Sequence, residues 1–198
     1  MNTANFARVF ITLLIFNTSI LTNAKASTEG AKQFIKEVSG KAIELIKSND
    51  TNELIKEQQL SKLFEDSVDT DWISKFVIGK YWRDASDAQK TVYLELHRQF
   101  LINSYVPKFK NYTNQQILFK NTFDEGSNEF LVETEIVQED GTAVKVDYRV
   151  RKIDNAEYKI FDVIAEGISL INTQRSEFAS ILSRKGVDYL IKKLKTKV

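Results

Sequence analysis

From residue 116 to residue 165 the apolar residues change period, from one in three or four to one in two. They keep the new period through four segments, 116–123, 129–138, 143–153 and 158–165. In the third, Val144, Val146, Tyr148 and Val150 point one way and Lys145, Asp147 and Arg149 the other, as in a half-buried strand. Asp124-Glu125-Gly126, Asp140-Gly141 and Asp154-Asn155 separate the segments, and Asp-Gly is a strong hairpin signal. Strands joined by such short turns pair as antiparallel neighbours. The chain is therefore expected to form a four-stranded antiparallel meander with one wet face and one apolar face. What covers the apolar face is the open question: an ordinary core, or something else that sits there.

The flanking sequence is helical. Ala31, Phe34, Ile35, Val38, Ala42 and Ile46 keep the spacing of an amphipathic helix, and Asn49-Asp50-Thr51-Asn52 breaks it. A second helix follows through Leu54, Ile55, Leu60, Leu63 and Phe64. Trp72 to Ile78 forms a short apolar helix stopped by Gly79. Ser86 and Gln89 make a capping box that opens a long helix carrying Tyr93, Leu96, Phe100 and Leu101. Pro107 should kink or end that helix near Tyr105. After Gly167 the pattern predicts helix again, over 172–184 and 187–195. Helices, sheet, then helices predict an α+β domain, its helices packed on one face of the four-stranded antiparallel sheet.

Residues 1–26 read as a secretory leader. Arg8 precedes an apolar run that ends at Leu21, and Ala24-Lys25-Ala26 supplies small residues for cleavage before Ser27, with Ala24 as the second choice of site. The run carries Thr12, Asn17, Thr18 and Ser19 and falls short of the roughly 20 apolar residues a span needs. Residues 27–198 then form a single domain, long enough to bury roughly 70% of its unfolded surface. The leader holds Arg8 and Lys25 and no acid, so its removal takes the formal charge from +1 to −1. A nearly neutral domain lacks the basic balance of a nucleic-acid binder. There is no cysteine, which excludes thiol nucleophiles and thiolate metal sites, and a single proline with 7 glycines leaves no flexible linker.

Candidates for catalysis are few. His97 is the only histidine and sits on the long amphipathic helix, where a helix-flank or hydrogen-bonded structural role is expected. Asp162 lies within Ile160-Phe161-Asp162-Val163-Ile164 and is expected to accept a structural hydrogen bond. No phosphate-binding loop, nucleophile elbow or His-Glu-x-x-His stands in the sequence. No catalytic residue, metal site or cofactor is assigned. The apolar set is the stronger signal: Phe130, Val132 and Ile136 share a face with Val144, Val146, Tyr148 and Val150, and Phe119 joins them. With 13 phenylalanines and 7 tyrosines in the chain, the helices can supply bulky partners for that face.

Two stretches resemble one known family. Phe76-Val77-Ile78-Gly79-Lys80-Tyr81-Trp82, continuing through Ala85-Ser86-Asp87-Ala88-Gln89 to Phe100-Leu101 and Ser104-Tyr105, is similar to the MlaC family of periplasmic phospholipid-binding proteins, also known as toluene-tolerance proteins. Phe161-Asp162-Val163 through Gly167-Ile168-Ser169-Leu170, then Thr173 to Phe178 and Lys185-Gly186-Val187-Asp188, resembles that family's Asp-apolar and Gly-apolar-Ser block with its closing helices. Asp69-Thr70-Asp71 and Pro107 depart from the pattern and bear on local helix geometry. The resemblance implies a non-enzymatic carrier that holds acyl tails between helices and sheet and contributes to outer-membrane lipid asymmetry. The implied partners are an outer-membrane lipoprotein–porin complex and an inner-membrane ABC transporter with an MCE-domain subunit. On this reading Phe119, Phe130, Val132, Ile136, Val144, Val146, Tyr148 and Val150 form the floor of an apolar slot. Phe76, Phe100 and Tyr105 close it from the helices, with Val163 and Ile168 at the last strand and its exit. The alternatives are a periplasmic protein-binding adaptor with a closed core, and a small secreted enzyme using Asp162 or His97.

Overall fold

The structure, a computed structural model, describes residues 27–48, 52–111, 114–153 and 157–198. The expected leader, most of the break at residues 49–52 and the Asp154-Asn155 turn lie outside them. Helix α1 spans Thr28–Lys47; Ser27 caps it, its hydroxyl accepting from the Gly30 N–H at 3.0 Å. Asn52 caps α2 (Glu53–Ser67) through the Leu54 N–H at 2.8 Å, and Asp69 caps α3 (Thr70–Ile78) through the Trp72 N–H at 3.1 Å. Gly79 stops α3 with φ at 58°, a conformation that costs a residue without Cβ little. After the single turn α4 (Tyr81–Asp84), the Ser86–Gln89 capping box forms as the spacing predicts and starts α5 (Asp87–Tyr105). Pro107 cannot donate to the helical ladder, and the chain tightens into a 3₁₀ segment, Val106–Asn111.

Among the described residues the sheet is antiparallel and has five strands rather than four, in the order β1-β2-β3-β4-β5. They are β1 (Gln116–Gly126), β2 (Glu129–Val137), β3 (Ala143–Lys152), β4 (Tyr158–Ala165) and β5 (Ile168–Ser169). Strand β5 turns back through Glu166 and Gly167 to pair with Ile164 and Ala165. Two residues are too few to show a period, so the sequence pattern runs straight from strand into helix. The first hairpin also differs. Its turn is Ser127-Asn128, both with positive φ, and Asp124 instead accepts from the Gly126 N–H at 2.8 Å in a bulge. The apolar register is as the alternation predicts: Phe130 faces Val150, Val132 faces Tyr148 and Ile136 faces Val144.

Helix α6 runs Leu170–Lys195 and is interrupted at Gly186, whose φ of 74° and ψ of −179° are not helical. The break falls between the two predicted helices, 172–184 and 187–195. The buried Phe178, Leu182 and Leu190 of α6 join Val77 and Ile78 of α3, Tyr93 and Leu101 of α5, and Phe161 of β4 in the helical core. A second cluster lies between α1 and the sheet, where Ala31 and Ile35 cover Phe130, Val132, Val150 and Ile160. Val68, at the corner from α2 to α3, bridges to Ile160 and ties the two layers together. Among the described residues the result is an α+β domain of six helices and one five-stranded sheet.

Candidate functional site: an apolar cavity

A cavity of about 700 Å³ lies between the α1–α2 pair and the sheet, within the usual size of a small-molecule site. Helix α1 lines it with Ile35, Val38, Ala42, Ile43 and Ile46, the lower part of the stripe that its 3.6-residue period builds. Helix α2 adds Leu60, Leu63 and Phe64. From the sheet come Ile117, Ile136, Tyr148, Ile160 and Val163, one from β1, one from β2, one from β3 and two from β4. Ile73, Leu101 and Tyr105 close it on the side of the helical core. Lys108, Phe109 and Gln138 are exposed and mark the rim.

The side chains singled out for the slot divide into groups. Tyr105, Ile136, Tyr148 and Val163 line the cavity. Phe130, Val132 and Val150 lie on the same sheet face but are fully buried under the first turns of α1, with Phe119 packed at their side. Val144 and Val146 are half-buried on that face and do not line the cavity. Phe76 belongs to the helical layer, stacked on Trp72 at 4.9 Å with the Arg175 guanidinium 4.5 Å above its ring. Phe100 packs there too, against His97 and Phe178. Ile168 is 61% exposed at the tight turn into β5. The α1 and α2 stripes were visible as amphipathic helices, but a stripe that lines a cavity has the same period as one that fills a core.

The cavity wall is sparing with charge. Among the described residues its ionisable groups are Lys108, Asp162, Tyr105 and Tyr148. Asp162 is buried and accepts from the Ser169 hydroxyl at 2.7 Å and the Ile171 N–H at 3.3 Å, pinning the end of β4 to the start of α6. Burial pushes the Tyr148 hydroxyl up to about 12. Burial also raises Tyr105, with the charges of Asp162 and Glu177 adding to it.

His97 does not line the cavity; it is fully buried in the helical core. Ser74 Oγ donates to the Thr70 carbonyl at 2.6 Å, so at 2.7 Å it accepts from His97 Nδ1, which assigns the imidazole proton to that nitrogen. Burial lowers the imidazole to about 4, opposed in part by the Gln174 side chain, and leaves it neutral at pH 7. Among the described residues no group of three or more His, Asp or Glu converges to hold a metal, and no helix is long and apolar enough to cross a membrane.

The class defined by the fold and site is an α+β domain whose helices cover an antiparallel sheet around a ligand-sized apolar cavity. The chain belongs to the MlaC family: the sequence model described as MlaC protein matches residues 36–196. A protein of Haemophilus influenzae named intermembrane phospholipid transport system binding protein MlaC is 25% identical over 130 residues, 64% of this chain and 61% of its own length. A toluene tolerance protein of Pseudomonas putida, ttg2D, is 28% identical over 130 residues, 65% of this chain and 60% of its own. The matched part thus spans about six tenths of each relative. The fold is similar to a phospholipid-binding protein of Ralstonia solanacearum, solved in complex with a phospholipid. That likeness has a TM-score of 0.68 and 22% identity, and covers 86% of this chain and 95% of the other.

Proposed function

We propose that this protein is a carrier of phospholipid between membranes, holding acyl tails in the cavity between α1, α2 and the sheet. The observation that carries the reading is the cavity itself: about 700 Å³ walled by aliphatic and aromatic side chains. Each methylene withdrawn from water is worth about 0.8 kcal/mol, so two chains of ~30 methylenes in all represent roughly 24 kcal/mol of gross transfer energy. Unassisted crossing of water is therefore very slow, and an apolar enclosure replaces water without directional contacts. At about 700 Å³ the site is of acyl-chain size. Membership of the MlaC family and the names of the relatives support lipid as the guest.

The rest of the reading follows from that cargo. Residues 1–26 would be removed on export, and the carrier would work in the periplasm. It would exchange lipid with the inner-membrane ABC transporter and its MCE-domain subunit, and with the outer-membrane lipoprotein–porin complex, and so help keep the outer membrane asymmetric. It would do so without a cofactor and as a binder rather than an enzyme. The structural roles of Asp162 and His97 favour this over hydrolysis, and the cavity favours it over an adaptor with a closed core.

Native mass spectrometry of protein purified without detergent tests the carrier. The expected result is a phospholipid mass that is lost on denaturation. In Ser39→Phe, a ring would project from α1 into the cavity, and lipid content should fall at unchanged helicity. Protein that carries no lipid and takes none up from vesicles would end the reading.

A further inference from the structure

Of the charged side chains on the cavity wall, Asp162 is buried and committed to two hydrogen bonds. Lys108 is different: it is exposed at the rim, and no carboxylate of the described residues pairs with it. Its position follows from the sequence. Pro107 ends the long helix, and the 3₁₀ turn that replaces it brings Lys108 and Phe109 to the rim together. The ammonium lies 5.1 Å from the centre of the Tyr105 ring, a contact that restricts a side chain otherwise free to wander. Tyr105 lines the cavity itself, so the cation is held where the apolar wall meets water. This is the snorkelling geometry of a lysine at a lipid–water boundary. Two neutral amides, Gln115 and Gln138, stand on the same lining, with 3.4 Å between Gln115 Nε2 and Gln138 Oε1.

We propose that Lys108, steadied by Tyr105, is an anion subsite at the cavity rim that takes the phosphodiester of a lipid whose tails lie inside. The proposal rests on the carrier reading above and adds a named headgroup contact to it. Tails enter the apolar volume, and the phosphate stays at the rim. A guest that put its anion inside would meet buried Asp162 and, among the described residues, no buried cation. The amides can donate to phosphate or ester oxygens, so the subsite reads the group common to all glycerophospholipids rather than any one headgroup.

The test loads wild type, Lys108→Met and Lys108→Glu with either dioleoyl phosphatidylglycerol or dioleoylglycerol, which has the same tails and no phosphate, and follows loss to acceptor vesicles. Lys108→Met keeps an apolar stem and should release phosphatidylglycerol about two- to five-fold faster, the scale of one exposed ion pair. Lys108→Glu should be faster still, while dioleoylglycerol leaves all three proteins at one rate. Equal release of phosphatidylglycerol from all three would overturn the subsite. So would equal acceleration of both cargoes, which would make Lys108 part of the wall for tails. Excess inorganic phosphate should leave release from wild type unchanged, because a lone exposed pair binds a free anion weakly. Acceleration by phosphate would assign Lys108 to free anions and remove the tethered headgroup. Wild type that loads neither cargo would overturn the carrier reading, and the subsite with it.

Discussion

His97 lies stacked between Tyr93 and Phe100, with ring centroids 5.4 and 6.0 Å away, and Phe178 meets its edge. A neutral imidazole held in that setting links stability to pH. Its folded value of about 4 is below the ordinary 6.5, so the unfolded chain binds the proton more readily. The stabilisation is complete above pH 6.5 and is lost as pH falls towards 4. Between pH 7 and pH 5 the loss should be about 2 kcal/mol. Urea titrations of wild type and His97→Leu would measure it; the variant should be nearly flat over that interval, and an equal slope in both would assign the effect elsewhere. A hydrogen-bonded role for His97 was among the sequence expectations; its depth of burial was not legible. The i, i+4 pattern of the long helix marks His97 as near an apolar stripe, but its burial depends on α3 and α6 arriving from either side.

At the scale of elements, helix starts and stops were legible because capping chemistry is local. Ser86 with Gln89, Gly79 and Pro107 each act within a few residues of themselves. Strand faces were legible for the same reason, since alternation fixes which side chains share a side. How far the covering helix reaches along that face was not. Phe130 and Tyr148 sit on one side of the sheet, yet α1 covers the first and leaves the second open to the cavity. That path is set by long-range contacts at the start of α1. The Ser27 N–H donates to the Tyr158 hydroxyl at 3.0 Å, and Gly30 packs so closely that a Cβ there would stand 2.4 Å from the same oxygen. Gly30→Ala should therefore destabilise by about 1–3 kcal/mol, as an overpacked contact does. Tyr158→Phe in the same chain should recover part of the loss. Thermal denaturation of the two single variants and the double gives the coupling, and simple additivity would mean that α1 shifts to make room.

For the molecule as a whole, the cavity separates the sheet-side cluster from the helical core, with Ile35, Ile160 and Leu101 bordering both core and cavity. A guest there acts as missing core. Lipid present at 100 times its dissociation constant should add about 2.7 kcal/mol, or roughly 5–10 °C in Tm for a domain of this size. Calorimetry of protein as purified and after extraction of lipid would show the difference; identical curves would mean that the cavity closes on itself when emptied. The bond between Ser27 and Tyr158 also has a meaning in time. The two residues are 131 positions apart, so α1 is synthesised long before the strand that holds it. Until β2 and β3 appear, Ala31 and Ile35 have no sheet to cover, and Ile160 of β4 completes the cluster later still. Such delayed closure leaves the polypeptide threadable for most of its synthesis, the condition under which a chain can pass through a membrane channel before it folds.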